Sequence, residues 1–236
     1  MNRTIKIGIA ALALAATAPA FAQGNEDEGP VGWTPVAIGL ATPVQLPWGL
    51  NRWDVYGLDL NLFYSDAPKM YGLDVGGLAA LTRTKMYGLQ VGGLANVALE
   101  GPVRGARVTL GLNYAKDDVR GFEAGLVGFR DSFHGLDVNF LASFQRAECG
   151  CQISGLANVA TEESYGLNVA GLTNLSSGKA YGLQLACIFN YTEELHGAQI
   201  GLVNYTTHCP SGFQIGLVNI IMQNQIKVLP FVNGYF

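Results

Sequence analysis

The sequence predicts an all-β repeat protein: an antiparallel β-barrel of about 12 strands, one strand per 15–16-residue repeat, with a parallel β-solenoid as the alternative. Three observations predict it. A glycine-led unit recurs, its first glycines falling at Gly57, Gly72, Gly88, Gly105, Gly121, Gly135, Gly150, Gly166, Gly182, Gly197 and Gly212, with a mean spacing of 15.5 residues. Within each unit apolar and polar residues alternate strictly, as on a strand with two unlike faces. The composition is apolar and glycine-rich: 49% hydrophobic, 31 glycines and only 14% charged, against ~25% charged in an ordinary soluble domain.

The elements follow in order. Residues 1–22 read as a cleaved signal peptide: Arg3 and Lys6 make a basic start, an apolar run follows, and Ala20-Phe21-Ala22 is a small-x-small cleavage site. Residues 23–35 read as a flexible acidic lead-in carrying Glu26, Asp27 and Glu28, and 36–236 as a single repeat β-domain. In that domain the residue after the first glycine is apolar, as in Leu73, Leu89 and Leu167. The next is polar in every unit: Asp59, Asp74, Gln90, Arg107, Glu123, Asp137, Gln152, Asn168, Gln184, Gln199 and Gln214. An aliphatic residue follows, then a small or polar one. The extra glycine of Gly92-Gly93, set against the single Gly201, reads as a β-bulge. Most units close on Asn (Asn96, Asn113, Asn158, Asn174, Asn190, Asn204, Asn219), and charged connectors follow, such as Lys116-Asp117-Asp118. Residues 227–236 supply the twelfth strand.

The two architectures predict different facings. In a barrel the Leu/Val face meets lipid and the Asp/Gln/Asn/Gly face lines the interior. Tyr71, Tyr87, Tyr165 and Tyr181 at unit starts, with Tyr114, Phe129, Phe144, Tyr191 and Tyr205 at unit ends, form two interfacial girdles, and Phe236 resembles a terminal assembly signal. In a solenoid Leu and Val pack inside and the polar residues stack outside, which sets Asp59 unfavourably against Asp74. The near-constant period favours the solenoid; the low charge and Phe236 favour the membrane barrel.

Units such as Tyr87-Gly-Leu-Gln-Val-Gly-Gly-Leu-Ala-Asn, with the close Leu229-Pro-Phe-Val-Asn-Gly-Tyr-Phe, resemble bacterial surface-repeat proteins of unknown function. That family carries a signal peptide, tandem YGLQVGLxN-type units and an LPxxNxxF-type close. The resemblance covers about 180 of the 236 residues. It implies cell-surface or outer-envelope placement and no enzymatic activity, and it supplies no functional residues.

Chemistry-bearing motifs are few. At net charge −4 and pI ≈ 5.3 the chain lacks the basic surface that nucleic acid requires. His134 and His196 stand in the slot held elsewhere by tyrosine, and His208 lies beside Cys209. Cys149-Gly150-Cys151 with His134 one unit earlier is the one hint of a metal site, and Cys151 and Cys187 fill apolar slots. There is no P-loop, dinucleotide fingerprint or nucleophile elbow. The expectation is therefore a non-enzymatic outer-membrane or surface repeat protein of a Gram-negative-type bacterium, structural or a passive pore. The alternative is a secreted or surface-attached solenoid that binds a partner. No catalytic, cofactor-binding or metal residue and no cofactor is expected; a lipid bilayer is the expected partner. A pore lined by Asp59, Asp74, Glu123 and Asp137, with the single Arg107, would mildly prefer cations.

Overall fold

The computed structural model describes residues 30–41, 44–48 and 52–235. The expected signal peptide, the acidic residues of the lead-in and Phe236 lie outside the described residues. The fold is a parallel β-solenoid of about ten turns, not an antiparallel barrel. Among the described residues there is no helix.

The chain enters through β1 (Gly32–Ala41), which begins within the segment read as a lead-in, and β2 (Val44–Leu46). Then come β3 (Trp53–Gly76), β4 (Ala79–Gly92), β5 (Ala95–Ala98), β6 (Val103–Thr109), β7 (Leu112–Ala115) and β8 (Asp118–Ser154). The last coils are β9 (Ala157–Ala160), β10 (Glu163–Ala170), β11 (Thr173–Ala186), β12 (Phe189–Ile200), β13 (Val203–Ile221) and β14 (Val228–Gly234). β8 is 37 residues long because it rounds several corners without leaving the ladder.

Register explains why the repeat builds coils. Tyr165 pairs with Tyr181, Gly166 with Gly182 and Asn168 with Gln184, one unit apart and parallel. One unit is therefore one full turn, not one strand of a meander. A turn has a long wall (Tyr165–Ala170), a Gly171-Leu172 corner, a short wall (Thr173–Ser176) and a polar connector (Ser177–Lys179). The second glycine of Gly92-Gly93 is this corner rather than a bulge in a ladder. A Cβ on Gly93 or Gly171 would collide with the carbonyl oxygen of the coil before. The first glycines carry φ between +122° and +145° from Gly57 to Gly197, where only glycine sits without strain.

The solenoid is inside-out relative to the facing expected for it. The polar column points inward, where Gln90, Arg107, Glu123, Gln152, Gln199 and Gln214 are fully buried. The Leu/Val positions point outward. Topology thus follows the solenoid alternative, while facing follows the barrel reading. The expected aromatic girdles become stacked ladders: Tyr56–Tyr71–Tyr87 at 4.7 and 5.0 Å, and Tyr165–Tyr181–His196 at 4.6 and 4.5 Å. Apolar interior remains in three clusters: Ala37, Val55, Ala67 and Met70 toward the N-terminal end, Met86, Val103, Val119 and Phe133 in the middle, and Ala180, Leu195, Cys209 and Ile221 toward the C-terminal end. The twelfth-strand segment is present as β14, but it lies antiparallel on β13 as a cap, and β2 folds antiparallel on β1 at the opposite end. Pro230 in β14 fits an edge position, where its missing N–H breaks no ladder.

Candidate functional site

The polar column is built by the parallel register, which sets each inward side chain on its neighbour one coil away. In the first coils Asp74 accepts hydrogen bonds from Ser65 Oγ (2.6 Å) and Gln90 Nε2 (3.0 Å). In the middle coils the column carries charge of both signs. Arg107 and Arg130 both pair with Glu123, and Arg130 also pairs with Asp137, all with buried side chains. Ser143 Oγ donates to Asp137 at 2.5 Å, and Ser164 Oγ to Glu148 at 3.1 Å. In the last coils the column is neutral: Gln214 Nε2 donates to Gln199 Oε1 (2.8 Å) and Gln199 Nε2 to Gln184 Oε1 (2.9 Å).

A second column, of asparagines, stitches the two walls together. Asn174 Nδ2 donates to Asn190 Oδ1 at 2.9 Å and to the Leu185 carbonyl of the long wall at 2.8 Å. Asn190 repeats this with Asn204 (2.8 Å) and Ile200 (2.9 Å). An amide carries donor and acceptor together, so identical amides stack in register and satisfy one another. The unit-closing Asn is therefore an internal clamp and not only a strand end.

Besides Asp54 and Asp66, which pair with Lys69 and Arg83, five buried carboxylates, Asp59, Asp74, Glu123, Asp137 and Glu148, face two guanidiniums, Arg107 and Arg130. Burial favours neutral Glu123, but Arg107 and Arg130 outweigh it and hold this carboxyl below its ordinary range. Burial pushes Asp137 up, with Arg130 opposing. The carboxyls without a guanidinium bond also rise: Asp59 to about 8 through burial and then neighbouring Asp74, Asp74 to about 6 through burial, and Glu148 to about 8 through burial. The unfavourable Asp59–Asp74 stack expected on a solenoid exterior thus occurs inside, relieved by protonation. Asp59, Asp74, Glu123, Asp137 and Arg107 have no barrel lumen to line, so the expected cation preference has no pore to act in.

The exterior divides sharply. From the residue after the first glycine, round the corner, to the end of the short wall, no outward residue in any of the eleven units is charged. Leu172 is 43% exposed, Phe140 74% and Leu110 84%. On one flank Val169, Leu185, Ile200, Ile215, Leu202 and Leu217 border an apolar trough of about 660 Å³, closed by Phe231 and Val232 of the cap. The opposite edge holds the connectors. There Arg146 bridges Asp131 (2.8 Å) and Glu162 (2.6 Å), and Lys179 meets Glu194 at 3.3 Å, tying neighbouring coils.

The flagged histidines and cysteines do not converge. His196 stacks on Tyr181 and meets Glu194 at 2.7 Å; His134 meets Asp118 at 3.0 Å. Cys149 stands beside Tyr165 in the tyrosine slot, and Cys209 is buried, its thiol pushed up to about 11 by burial. Among the described residues no three His, Cys, Asp or Glu side chains group as metal ligands. Sequence reasoning missed Arg130 and Glu148 as interior residues. A usable signal was present: Arg130 falls one unit after Ala115, in an inward slot. The class defined by fold and exterior is an inside-out parallel β-solenoid. Comparison with family models, curated proteins and solved structures finds no match.

Proposed function

We propose that this chain is an exported, non-enzymatic envelope protein that lies along a lipid surface as a solenoid. The observation that carries the reading is the uncharged girth that runs through all eleven units. Exposed apolar patches on soluble monomers rarely exceed a few hundred Å², and this one extends over the length of the solenoid. With ~4.8 Å between coils, ten turns give a body roughly 50 Å long. The charged connectors form one strip parallel to the axis, so the body sits lengthwise, corner inward and connectors toward water, as an amphipathic helix does. The scattered histidines and cysteines support a structural rather than a catalytic role.

Vesicle flotation of the mature chain tests this. Binding is expected to persist at high salt, because apolar contact rather than charge attraction drives it. A monodisperse protein without detergent that stays out of the floating fraction would overturn the reading.

A further inference from the structure

All three tryptophans of the chain, Trp33, Trp48 and Trp53, fall within 21 residues at the N-terminal end of the solenoid. Two are largely exposed, Trp33 at 64% and Trp48 at 72%. Trp33 stands at 87° to Tyr56, ring centroids 6.3 Å apart. Tyr56 is stacked on Tyr71 in the next coil, so its remaining face turns toward Trp33. The two rings meet edge to face, and the exposure of Trp33 leaves indole surface open. The two rings, with Pro30, Gly32 and Asp54, line a cavity of about 500 Å³, a volume typical of small-molecule sites at ~300–1,000 Å³. Gly32 contributes no side chain, and the Trp53 ring packs against it.

Two ligand classes use an aromatic corner beside a carboxylate: organic cations, through the ring quadrupole, and sugars, whose C–H face lies on an indole while their hydroxyls bond a polar neighbour. Charge decides between them. Asp54 Oδ2 already holds Lys69 Nζ at 2.9 Å, so the carboxylate is neutralised before any ligand arrives. A second cation would have to displace or crowd Lys69. A neutral hydroxyl can instead donate to the carboxylate and accept from the ammonium. We propose that the Trp33–Tyr56–Asp54 corner binds one pyranose ring of a glycan, with its apolar face on Trp33 and its hydroxyls on the Asp54–Lys69 pair. This site goes beyond the lipid-surface reading and uses a different part of the molecule.

Intrinsic tryptophan fluorescence of the mature chain, titrated with N-acetylglucosamine oligomers and with maltotriose, tests it. A saturable change is expected with at least one of them. Trp33→Ala should weaken that binding about tenfold, and Trp33→Phe should weaken it less, because a smaller aromatic face remains. Circular dichroism of both variants checks that the coils persist. No saturable change with any saccharide, or unchanged affinity in Trp33→Ala, overturns the site. Tighter binding of tetramethylammonium than of any saccharide overturns the ligand class. Vesicle flotation lost in Trp33→Ala while sugar affinity is retained makes this end a lipid anchor and overturns the glycan site. Flotation absent in the native chain while sugar binding is present overturns only the lipid-surface reading.

Discussion

The middle coils, around Arg107 to Glu148, and the last coils, around Asn158 to Asn219, share one repeat and one backbone but fill their interiors in opposite ways. The last coils stack neutral amides, Asn on Asn from Asn158 to Asn219 and Gln on Gln from Gln184 to Gln214. The middle coils run Arg107, Glu123 and Asp137 down one column, and Arg130 reaches in from the short wall to bridge the two like-charged carboxylates. Self-complementary groups can repeat without limit, whereas a charge needs an opposite neighbour in the adjoining coil. Where no guanidinium is bonded, at Asp59 and Glu148, burial pushes the carboxyl up to about 8.

The contrast is tested first by removing the hub. Arg130→Met leaves Glu123 with one partner and Asp137 with no guanidinium, and should lower stability by about 3–5 kcal/mol in urea denaturation. The paired change Arg107→Gln with Glu123→Gln, which turns this coil toward the amide type, should lose less than Arg130→Met alone.

A second test uses pH. Asp59 rises from 3.8 to about 8 and Glu148 from 4.5 to about 8 on folding. Between those values the native state holds protons that the unfolded chain has released, so stability falls as pH rises. The fall should begin near pH 4, run to about pH 8 and then level off, with an amplitude on the order of 3 kcal/mol per group after discounting for water penetration. Asp59→Asn should flatten part of that slope in denaturation series across the range. An unchanged slope would mean that the Asp59 carboxyl is not held neutral.

In the amide coils the expected effect is smaller. Asn174→Ala removes donors to Asn190 and Leu185 and takes from the Asn158 amide one of its two acceptors (3.0 Å), leaving the Val169 carbonyl, for about 1–3 kcal/mol by the same denaturation assay. Smallest of all is the connector edge. Arg146→Ala breaks two exposed ion pairs and should change stability by less than about 1 kcal/mol, an effect that vanishes at high salt.

Much of this was legible in the sequence. The period located the coils from Gly57 onward but not the one built by β1, and the alternation separated the two faces of each long wall. Direction was not legible, because period-2 patterning says that two faces differ, not which one is enclosed. Asp, Glu and Arg at the third unit position read as water-facing, since isolated buried charge is costly. The clue lay between units: Arg107 stands one repeat before Glu123, and Arg130 falls where Ala98 and Ala115 stand in earlier coils. Barrel and solenoid were hard to separate because both close a two-faced strand pattern. Trp33 and Tyr56 lie 23 positions apart in the chain and meet only because β1 stacks on β3.

The neutral columns have an evolutionary corollary. From Gln184 to Gln214 the coils present the same amide bonds above and below, and Asn233 on β14 ends the series by meeting Gln214 in register. A gene could therefore gain or lose an amide unit by duplication and leave every other coil unchanged. The charged units are not self-complementary: Arg107, Glu123 and Asp137 stand in three successive coils, and Arg130 ties two of them together. Variation in length should be confined to the region after Asn158, with Arg107 to Glu148 kept as an indivisible block.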